Sequence, residues 1–386
     1  MTNILHPELA NDEFLESLRN YAQRSLQPRA ADIDRTDDFI IDVLGDLAAL
    51  GTQRLHLDGK SISPDPSAWM RIHESSKILA KYSTATAVAV SVARLHSYLL
   101  VKYTPAPLRD AWLEPTLTAS AFGSFGITEP DAGTDVRAMT TIARRVDGGY
   151  RLSGHKCWIG LAPIANYCFV LAKVDTDDRN AETVALFVDL SSAGVSRPEQ
   201  APLSGLRGMA NGQLVFDDVF VPSANRLNCD GFYGMMDGLN LARIEAGSYS
   251  CGLILRSIEL SVERSSHRIV MGEPLLKKQI TQQRIGQMYA DYLTADMITQ
   301  RAVASFALGD GGDQELISVA KLFATDKARF HTDVAMQLWG AAGLIMHSDV
   351  ERIHRDAKVM QIFDGTSEIH QLMLAKHAVR AVNEAV

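Results

Sequence analysis

The chain has 386 residues, of which 46% are hydrophobic, 22% are charged and 7% are aromatic. This composition is ordinary for a globular protein and excludes the collagen-like, disordered and low-complexity classes. At roughly 150 residues per domain, the length predicts about two to three domains. The 38 Lys and Arg residues against 46 Asp and Glu residues give a net charge of -8. Because nucleic-acid binding needs a basic excess, we expect no nucleic-acid partner.

The chain shows no sign of a targeting or membrane segment. Residues 1–14 are acidic and contain no basic stretch followed by an apolar run, so we expect no secretory signal. The longest apolar stretch, residues 85–93, ends at Arg94 and is too short to span a bilayer. The four cysteines form no C-x-x-C pair, which is typical of free thiols in a reducing compartment. We therefore expect a soluble, cytoplasmic protein with no membrane partner.

Three regimes of periodicity follow one another along the chain. From about residue 8 to residue 115, apolar residues recur three and four apart, as in residues 39–50 and 68–82, which predicts helices. From about residue 121 to residue 227, short β-rich runs alternate with Gly, Pro, Asp and Ser clusters, which predicts a small antiparallel β domain. These runs are residues 150–152, 168–174, 183–188 and 213–221.

From about residue 234 the helical period returns in long stretches. One stripe joins Ile285, Met288 and Tyr292 to their apolar neighbours, and another joins Ile254, Ile258 and Val262. The glycine-rich residues 309–313 predict a turn between two of these helices. We expect long helices that are largely buried.

Several common catalytic motifs are missing. The sequence contains no G-x-G-x-x-G after a predicted strand, no P-loop and no H-E-x-x-H. His347 and His354 lie seven residues apart without a third ligand, so we expect no metal site. Residues 247–252 include a Gly- and Ser-containing string, but it falls in a predicted helix rather than at a strand-to-helix turn. A hydrolase is therefore not supported.

Three short strings remain as candidates for chemistry. Residues 128–135 (TEPDAGTD) form a turn whose backbone donors and hydroxyls suit a carbonyl-rich ring or a phosphate, or form an ordinary acidic loop. Residues 154–159 (GHKCWI) end a strand with Trp158, which either stacks on an aromatic cofactor or fills the barrel core. Asp364 precedes a Gly-Thr turn before a helix, and an isolated Asp in such a string is most often an N-cap.

Taken in order, these strings resemble motifs of the acyl-CoA dehydrogenase family of flavoproteins, and the resemblance runs from about residue 120 to the C-terminus. The matching segments are TEPDAGTD at 128–135, GHKCWI at 154–159, FDDVFVP at 216–222, the R-x-x-F-G-x-P-L-x-x-x-Q pattern at 268–279 with Met271 in place of the aromatic residue, QLWGAAG at 337–343, and RDAK at 355–358 followed by DGTSEI at 364–369.

The resemblance implies an α+β fold with an N-terminal helical domain (residues 1–119), a middle antiparallel β-barrel (residues 120–229) and a C-terminal four-helix bundle (residues 230–386). It also implies FAD between barrel and bundle, and a homo-oligomer that is a tetramer or a dimer. The residues that would contact the flavin and its pyrophosphate are Phe125, Ile127, Thr128, Thr134, Trp158, Ile159 and Gly160. Those that would bind the adenine half across a subunit interface are Arg268, Met271, Gln279, Gln337 and Gly340, while Thr366 and Glu368 would close the site.

The implied activity is α,β-dehydrogenation of an acyl thioester, in which a carboxylate takes the α-proton while the β-hydride leaves for flavin N5. The substrate would be an acyl-CoA or an acyl group on a carrier protein, and the electron acceptor an electron-transferring flavoprotein. By the resemblance, Asp364 occupies the slot of the family's usual Glu base, and Arg243 matches the Arg of the first bundle helix. A second branch places its base immediately before this Arg, but Ala242 stands there, and Glu245 lies on another helical face.

Two further departures from the family pattern keep alternatives open. Gly160 replaces a hydroxyl residue that donates to flavin N5, and residues 51–67 lack the family's Y-G-G loop. Nitroalkane oxidases, which are relatives on the same fold, use an Asp base on a more acidic carbon. A flavoprotein oxidase of nitroalkane-oxidase type is therefore one alternative, and a catalytically silent family member with a binding or structural role is another.

Overall fold

The computed structural model describes residues 9, 11–176, 178–309 and 311–384. Residues 1–8 and 10 lie outside the described residues, and they make up most of the stretch for which no secretory signal is expected. The N-terminal part is helical, as predicted, with a two-stranded ribbon between its third and fourth helices. Its elements are α1 (Glu13–Tyr21), a π-helical turn (Ala22–Leu26), α2 (Gln27–Thr36), α3 (Ile41–Ala49), β1 (Leu57–Asp58), β2 (Ser61–Ile62), α4 (Pro66–Tyr82), α5 (Thr84–Tyr103) and α6 (Ala106–Leu117).

The middle part is a seven-stranded sheet with the strand order β3-β6-β4-β5-β9-β8 and with β7 on β6. Strand β6 pairs in parallel with β3 and β4, so the sheet is mixed and the prediction of a purely antiparallel domain is wrong in this detail. Alternating polarity does not reveal strand direction, which depends on pairing between distant segments. The strands are β3 (Gly123–Gly126), β4 (Ile142–Val146), β5 (Gly149–Gly160), β6 (Tyr167–Val174), β7 (Thr183–Asp189), β8 (Val195–Ser196) and β9 (Asn211–Pro222).

Strand β6 is buried on both faces and separates two cores. Cys168, Val170 and Ala172 point into a core made by the sheet alone. Tyr167 and Phe169 alternate with them and point into the core shared with the helices. Because strands β4 to β7 and β9 share one core on a single face, the sheet curls around that core, and its other face packs on helices.

The C-terminal part consists of long helices and one small hairpin. Helices α7, α8 and α9 pack on one another, and α10 and α11 pack on α9, so the helical C-terminal part implied by the resemblance is confirmed and contains five helices in the described chain. The predicted stripes are only partly core, since Tyr289 is 39% exposed and Val262 is 37% exposed. The elements are α7 (Gly231–His267), β10 (Ile269–Val270), β11 (Glu273–Pro274), α8 (Gln279–Ala307), α9 (Gln314–Trp339), α10 (Asp349–Met360) and α11 (Ser367–Glu384).

The predicted turn at 309–313 does separate α8 from α9, although residue 310 lies outside the described residues. Gly311 and Gly312 have φ values of 77° and 74°, which a glycine adopts at little cost. The predicted domain boundaries fall in the connections before β3 and before α7 and stay predictions. All four cysteines are unpaired, as expected.

Helix α5 joins the parts of the molecule. By length and composition Thr84–Tyr103 could cross a membrane, but 83% of its apolar window is buried inside the protein. The helix continues through Arg94, which the sequence pattern treats as the end of an apolar run. A buried core helix has this character, because it is apolar on nearly every face.

A fully buried ion pair ties α5 to α7 and α4. Arg94 and Glu245 are both 0% exposed, and Arg94 Nη1 lies 2.7 Å from Glu245 Oε2. The Ser76 hydroxyl also donates to this carboxylate oxygen at 2.7 Å. Burial removes the hydration of both charges, so each partner depends on the other.

Replacing Arg94 with Met should lower the free energy of unfolding by about 3–5 kcal/mol, because Glu245 would then be a buried charge without its partner. The double variant Arg94→Met/Glu245→Leu should recover most of this loss. Urea unfolding of the three proteins measures both effects. Equal stability of the single variant and the unchanged protein would contradict the assignment.

Candidate functional site

The turn between α10 and α11 carries the candidate base. Asp364 and Gly365 are consecutive left-handed residues, with φ values of 55° and 102°. Asp and Gly are among the residues that adopt this conformation most readily. Helix α11 begins at Ser367, so its N-cap position is Thr366 and the N-cap interpretation of Asp364 is wrong.

Two buried cations hold the carbonyls of this turn. Arg243 of α7 donates from Nε to the carbonyl oxygen of Asp364 at 2.9 Å. Lys321 of α9 donates from Nζ to the carbonyl oxygen of Gly365 at 2.6 Å. Arg243 is 7% exposed and Lys321 is 0% exposed. Three helices therefore converge on the base, and the structure brings together the two predicted catalytic residues.

The surroundings of Asp364 shift its titration towards neutral pH. Burial raises the pKa of the Asp364 carboxyl to about 6, although the positive charges of Lys321 and Arg243 oppose this rise. Burial lowers the pKa of the Lys321 ammonium to about 8, and the Asp364 charge counteracts that shift. A carboxyl with a pKa near the working pH accepts a proton more effectively than one with an ordinary pKa.

His370 of α11 lies beneath the turn and is 0% exposed. A Cβ atom added to Gly365 would lie 3.2 Å from His370 Nε2, so the glycine lets the ring pack closely. Burial, with the charges of Arg243 and Lys321, lowers the pKa of His370 to about 3. His370 therefore stays neutral and adds no charge to the site.

Glu245, the alternative base, is engaged elsewhere. Arg94 and Ser76 both hydrogen-bond to its Oε2 oxygen, as described above, and Tyr249 OH lies 3.5 Å from the same oxygen. This ion pair makes Glu245 a structural residue, although its negative charge raises the pKa of Asp364 slightly against the two cations.

On the sheet side, a buried ion pair fixes the loop at 128–135. Lys156 Nζ lies 2.8 Å from Glu129 Oε1 and donates to the carbonyl oxygen of Ile127 at 2.9 Å. Glu129 also accepts from the backbone N–H groups of Thr140 and Thr141 at 2.6 and 3.0 Å. The two motifs TEPDAGTD and GHKCWI are therefore joined inside the protein by their own charged residues.

Trp158 and its neighbours form an exposed edge of this sheet. Trp158 has a φ of 57° at an irregularity in the β5–β9 register, and its side chain is 59% exposed, so the interpretation that it fills the barrel core is wrong. Ile159 and Ile127 have buried side chains and can offer only backbone to a ligand. Phe125 is partly buried in the helical core. The hydroxyl-bearing predicted residues Thr128 and Thr134 are partly exposed and exposed.

Gly160 has a specific neighbour. A Cβ atom at this position would lie 2.4 Å from Met209 Cε and 3.7 Å from Val92 Cγ2. Met209 belongs to the β8–β9 loop, which also packs on α10, where Leu206 N donates to Asp356 Oδ1 at 2.8 Å. The loop thus links the Gly160 edge of the sheet to the helix that leads into the Asp364 turn.

The predicted adenine-binding residues lie together at another end of the bundle. Met271 and Gly272 form the two-residue tip of the β10–β11 hairpin, both left-handed, and Met271 is 93% exposed. The guanidinium of Arg264 lies 5.5 Å from the ring centre of Trp339, which brings the end of α7 beside the end of α9. The exposed predicted residues at this end are Arg268, Met271, Gln279, Gln337 and Gly340.

Thr366 and Glu368 adjoin the Asp364 turn. The side chain of Glu368 is exposed, and it accepts hydrogen bonds from the Glu368 backbone N–H and from the Thr366 hydroxyl. These hydrogen bonds lower the pKa of Glu368. Sequence reasoning did not find Lys321, His370, Glu129 or Lys156. Glu129 and Lys156 lie inside the motifs TEPDAGTD and GHKCWI, whereas a lone Lys or His in a helix carries no signal of its own.

Two other features share no residue with these groups. His73, Glu74 and Asp296 are close enough to bind a metal ion together. However, Lys77 Nζ donates to Glu74 Oε1 and to Asp296 Oδ1, both at 2.8 Å. The Lys77 ammonium therefore supplies the positive charge that a metal ion would bring to these carboxylates. A cavity of about 580 Å³ lies between the start of α6 and residues 223–229.

Comparison with known proteins agrees with this architecture. The family model of the acyl-CoA dehydrogenase middle domain matches residues 124–219, and that of the C-terminal domain matches residues 229–379. The acryloyl-CoA reductase (NADH) of Anaerotignum propionicum is 29% identical over 95% of this chain and 94% of its own length. The cyclohexane-1-carbonyl-CoA dehydrogenase of Geobacter metallireducens is 28% identical over 95% of this chain and 96% of its own length.

The fold is also that of solved structures. Butyryl-CoA dehydrogenase from Megasphaera elsdenii superposes with a TM-score of 0.89 and 26% identity, covering 95% of this chain and 97% of that one. A glutaryl-CoA dehydrogenase in complex with glutaryl-CoA gives a TM-score of 0.92 at 24% identity, covering 98% and 97%, which is a likeness of fold. The chain belongs to the acyl-CoA dehydrogenase family, whose members are FAD-binding oxidoreductases.

The residues present fit FAD. Trp158 offers an exposed indole held at a left-handed backbone position, and such strained positions cluster at ligand sites. The adjoining loop offers the partly exposed Thr128 and the exposed Thr134 as hydroxyl donors. An aromatic face beside hydroxyl and backbone donors suits a flat ring that carries a phosphate chain.

Replacing Glu129 with Gln should destabilise the protein by about 3 kcal/mol near pH 7, because Lys156 would lose its buried partner. Burial would raise the pKa of Glu129, but Lys156 outweighs it and lowers the pKa from 4.5 to about 2. Since the folded pKa lies below the unfolded one, this stabilisation is full above about pH 4.5 and is lost as the pH falls through about 2.

The difference in unfolding free energy between the two proteins should therefore shrink as the pH falls from 7 to 3. Burial lowers the pKa of Lys156, because removing the ammonium from water is unfavourable. This desolvation reduces the net stabilisation from the Glu129–Lys156 ion pair. Denaturant unfolding at several pH values measures the difference. A difference that grows on acidification would contradict the role given to Glu129.

Proposed function

We propose that this protein is an FAD-dependent dehydrogenase that forms an α,β double bond in an acyl thioester, with Asp364 as the base. The observation that carries the proposal is the partly buried Asp364 turn, whose carbonyls accept hydrogen bonds from the buried Arg243 and Lys321 and whose carboxyl has a pKa that burial raises to about 6. Such perturbed groups in a framework of charged residues are typical of catalytic sites.

The chain's own residues divide the work between two faces. The exposed edge of the sheet and its adjoining loop would hold the flavin and pyrophosphate. The residues concerned are Phe125, Ile127, Thr128, Thr134, Trp158, Ile159 and Gly160. Arg268, Met271, Gln279, Gln337 and Gly340 would hold the adenine half of a partner subunit's FAD, with Thr366 and Glu368 beside the turn. FAD, when bound, supplies a two-electron acceptor for the β-hydride.

Asp364 accepts the α-proton at a carboxylate oxygen. Arg243 and Lys321 bind the two turn carbonyls, so they fix the direction of the side chain and favour its ionised form before the proton arrives. Within the described part of the chain, the backbone N–H of Asp364 donates to no acceptor. This N–H is suited to polarise the thioester carbonyl and acidify the α-carbon.

The substrate is an acyl thioester carried by CoA, as the names of the relatives support. An acyl group on a carrier protein is the second form, because residues 364–378 (DGTSEIHQLMLAKHA) and 154–156 (GHK) also resemble family members that oxidise acyl groups on a carrier protein. We further propose an electron-transferring flavoprotein as acceptor, a homo-oligomer (tetramer or dimer), and a cytoplasmic location.

The oxidase alternative rests on Gly160. The family hydroxyl is missing there, and Met209 Cε occupies the adjacent space. A flavin site without this donor differs from the usual dehydrogenase site by one hydrogen bond, worth about 1 kcal/mol. We favour the dehydrogenase, since the Asp364 turn fits thioester chemistry without further assumptions.

Replacing Asp364 with Asn should lower the rate of anaerobic flavin reduction by several orders of magnitude, because an amide cannot accept the proton. FAD content and unfolding temperature should stay close to those of the unchanged protein. Asp364→Glu is the matched control, because it keeps the acid and moves it by one methylene. A misplacement of about 1 Å costs on the order of a hundredfold. Full activity in the Asn variant would refute the assignment.

The purified protein should be yellow, with about one non-covalent FAD per chain, and acyl-CoA thioesters should bleach the flavin band anaerobically. Parallel stopped-flow reduction with acyl-CoA and acyl-carrier thioesters of the same acyl groups distinguishes the two carriers. Bound FAD that no thioester reduces would support the silent family member. Stoichiometric peroxide, formed as fast as an artificial acceptor is reduced, would favour the oxidase.

A further inference from the structure

Lys321 lies where the helix pattern calls for an apolar residue. Ile317, Lys321 and Thr325 follow one another at fourth-residue spacing on α9, and all three are buried at 0–1% exposure. Ala320 and Ala324, on the same buried side, are 0% exposed. A helix face packed in this way normally holds aliphatic side chains, so the ammonium has to be explained by something other than packing.

The ammonium is poorly compensated for a buried charge. Among the described residues, the Gly365 carbonyl at 2.6 Å is the one hydrogen-bond acceptor that Lys321 Nζ reaches, and no carboxylate forms a direct ion pair with it. Transferring a charge from water into the interior costs several kcal/mol unless it is paired. Lys77, another buried lysine, shows the usual solution, because it donates directly to Glu74 and Asp296.

The charges around Lys321 come from three helices and the turn. Asp364 has the strongest favourable interaction with it, and Arg243 of α7 has a repulsive one. Asp326 of α9 and Glu368 of α11 contribute weaker attraction, and His370 is neutral. Lys321 is also the largest single influence that holds the Asp364 carboxyl in its ionised form against burial. Lys321 and the turn are therefore coupled through charge as well as through a hydrogen bond.

Building on the proposed function, we propose that Lys321 is a positioning residue for the base: it fixes the Gly365 carbonyl and keeps the neighbouring Asp364 carboxylate ionised at the cost of fold stability. A positioning residue and a purely structural residue differ in how their removal affects fold stability and the titration of Asp364. Removing it should leave the fold as stable as before or more stable, because an apolar side chain of similar shape fits the buried face, yet it should change the titration of Asp364.

The test is a direct titration of Asp364 by infrared difference spectroscopy. The carbonyl stretch of the protonated carboxyl is assigned by its loss in Asp364→Asn, so the readout does not depend on turnover. In Lys321→Met the titration midpoint should rise by about one unit or more above that of the unchanged protein. Lys321→Arg keeps the charge and should stay close to the unchanged protein. Lys321→Gln keeps a donor without the charge and should follow Lys321→Met.

Lys77→Met is the matched control. It removes a buried ammonium of the same kind from a fully paired cluster, so it should lower the unfolding temperature and leave the Asp364 titration where it was. Lys321→Met should show the opposite pair of results. An unchanged Asp364 midpoint in Lys321→Met, with or without a loss of stability, would overturn the proposal. If flavin reduction survives in Asp364→Asn, the proposed function fails, while the titration still decides whether Lys321 controls this carboxyl.

Discussion

The candidate site depends on a partly buried carboxylate in a turn whose backbone carbonyls two buried cations hold. Arg243 and Lys321 reach the carbonyls of Asp364 and Gly365 from different helices, so neither α7 nor α9 can shift without moving the base. Burial alone would raise the pKa of Asp364 further and leave the carboxyl protonated at neutral pH. With the cations but without burial, the pKa of the carboxyl would instead lie below its ordinary value. Burial raises the pKa of Asp364 to about 6 against the opposing charges of Lys321 and Arg243.

Two other pairs of buried charges in this protein form direct ion pairs, unlike Lys321 and Asp364. Arg94–Glu245 and Lys156–Glu129 are direct ion pairs in which each charge neutralises the other, and both serve to fix backbone. In the first, α5 is fastened to α7 beside the site; in the second, the loop that would face the flavin is fastened to β5. Lys321 differs because its ammonium donates a hydrogen bond to a backbone carbonyl, and its charge acts on Asp364 without a direct ion pair.

Sequence reasoning recovered the helices, most strands and the order of motifs, because periodicity and turn residues act locally. It did not recover the parallel pairing of β6, which depends on distant segments, or the exposure of Trp158, which follows from one left-handed residue. It named Asp364 and Arg243 as catalytic residues only through the family resemblance, and that role stays a prediction. Lys321 was out of reach, because a single lysine in a helix is usually a surface residue and nothing local marks it as buried.

The most direct test of the account is the pH dependence of anaerobic flavin reduction in the unchanged protein, measured with an α-deuterated acyl thioester beside its protiated form. If the ionised Asp364 removes the α-proton, the rate should rise with pH through a single ionisation near pH 6, or above it where bound substrate desolvates the carboxyl further. Deuterium should slow reduction on both sides of that midpoint. A rate that is independent of pH between 5 and 8 and insensitive to α-deuteration would contradict the account.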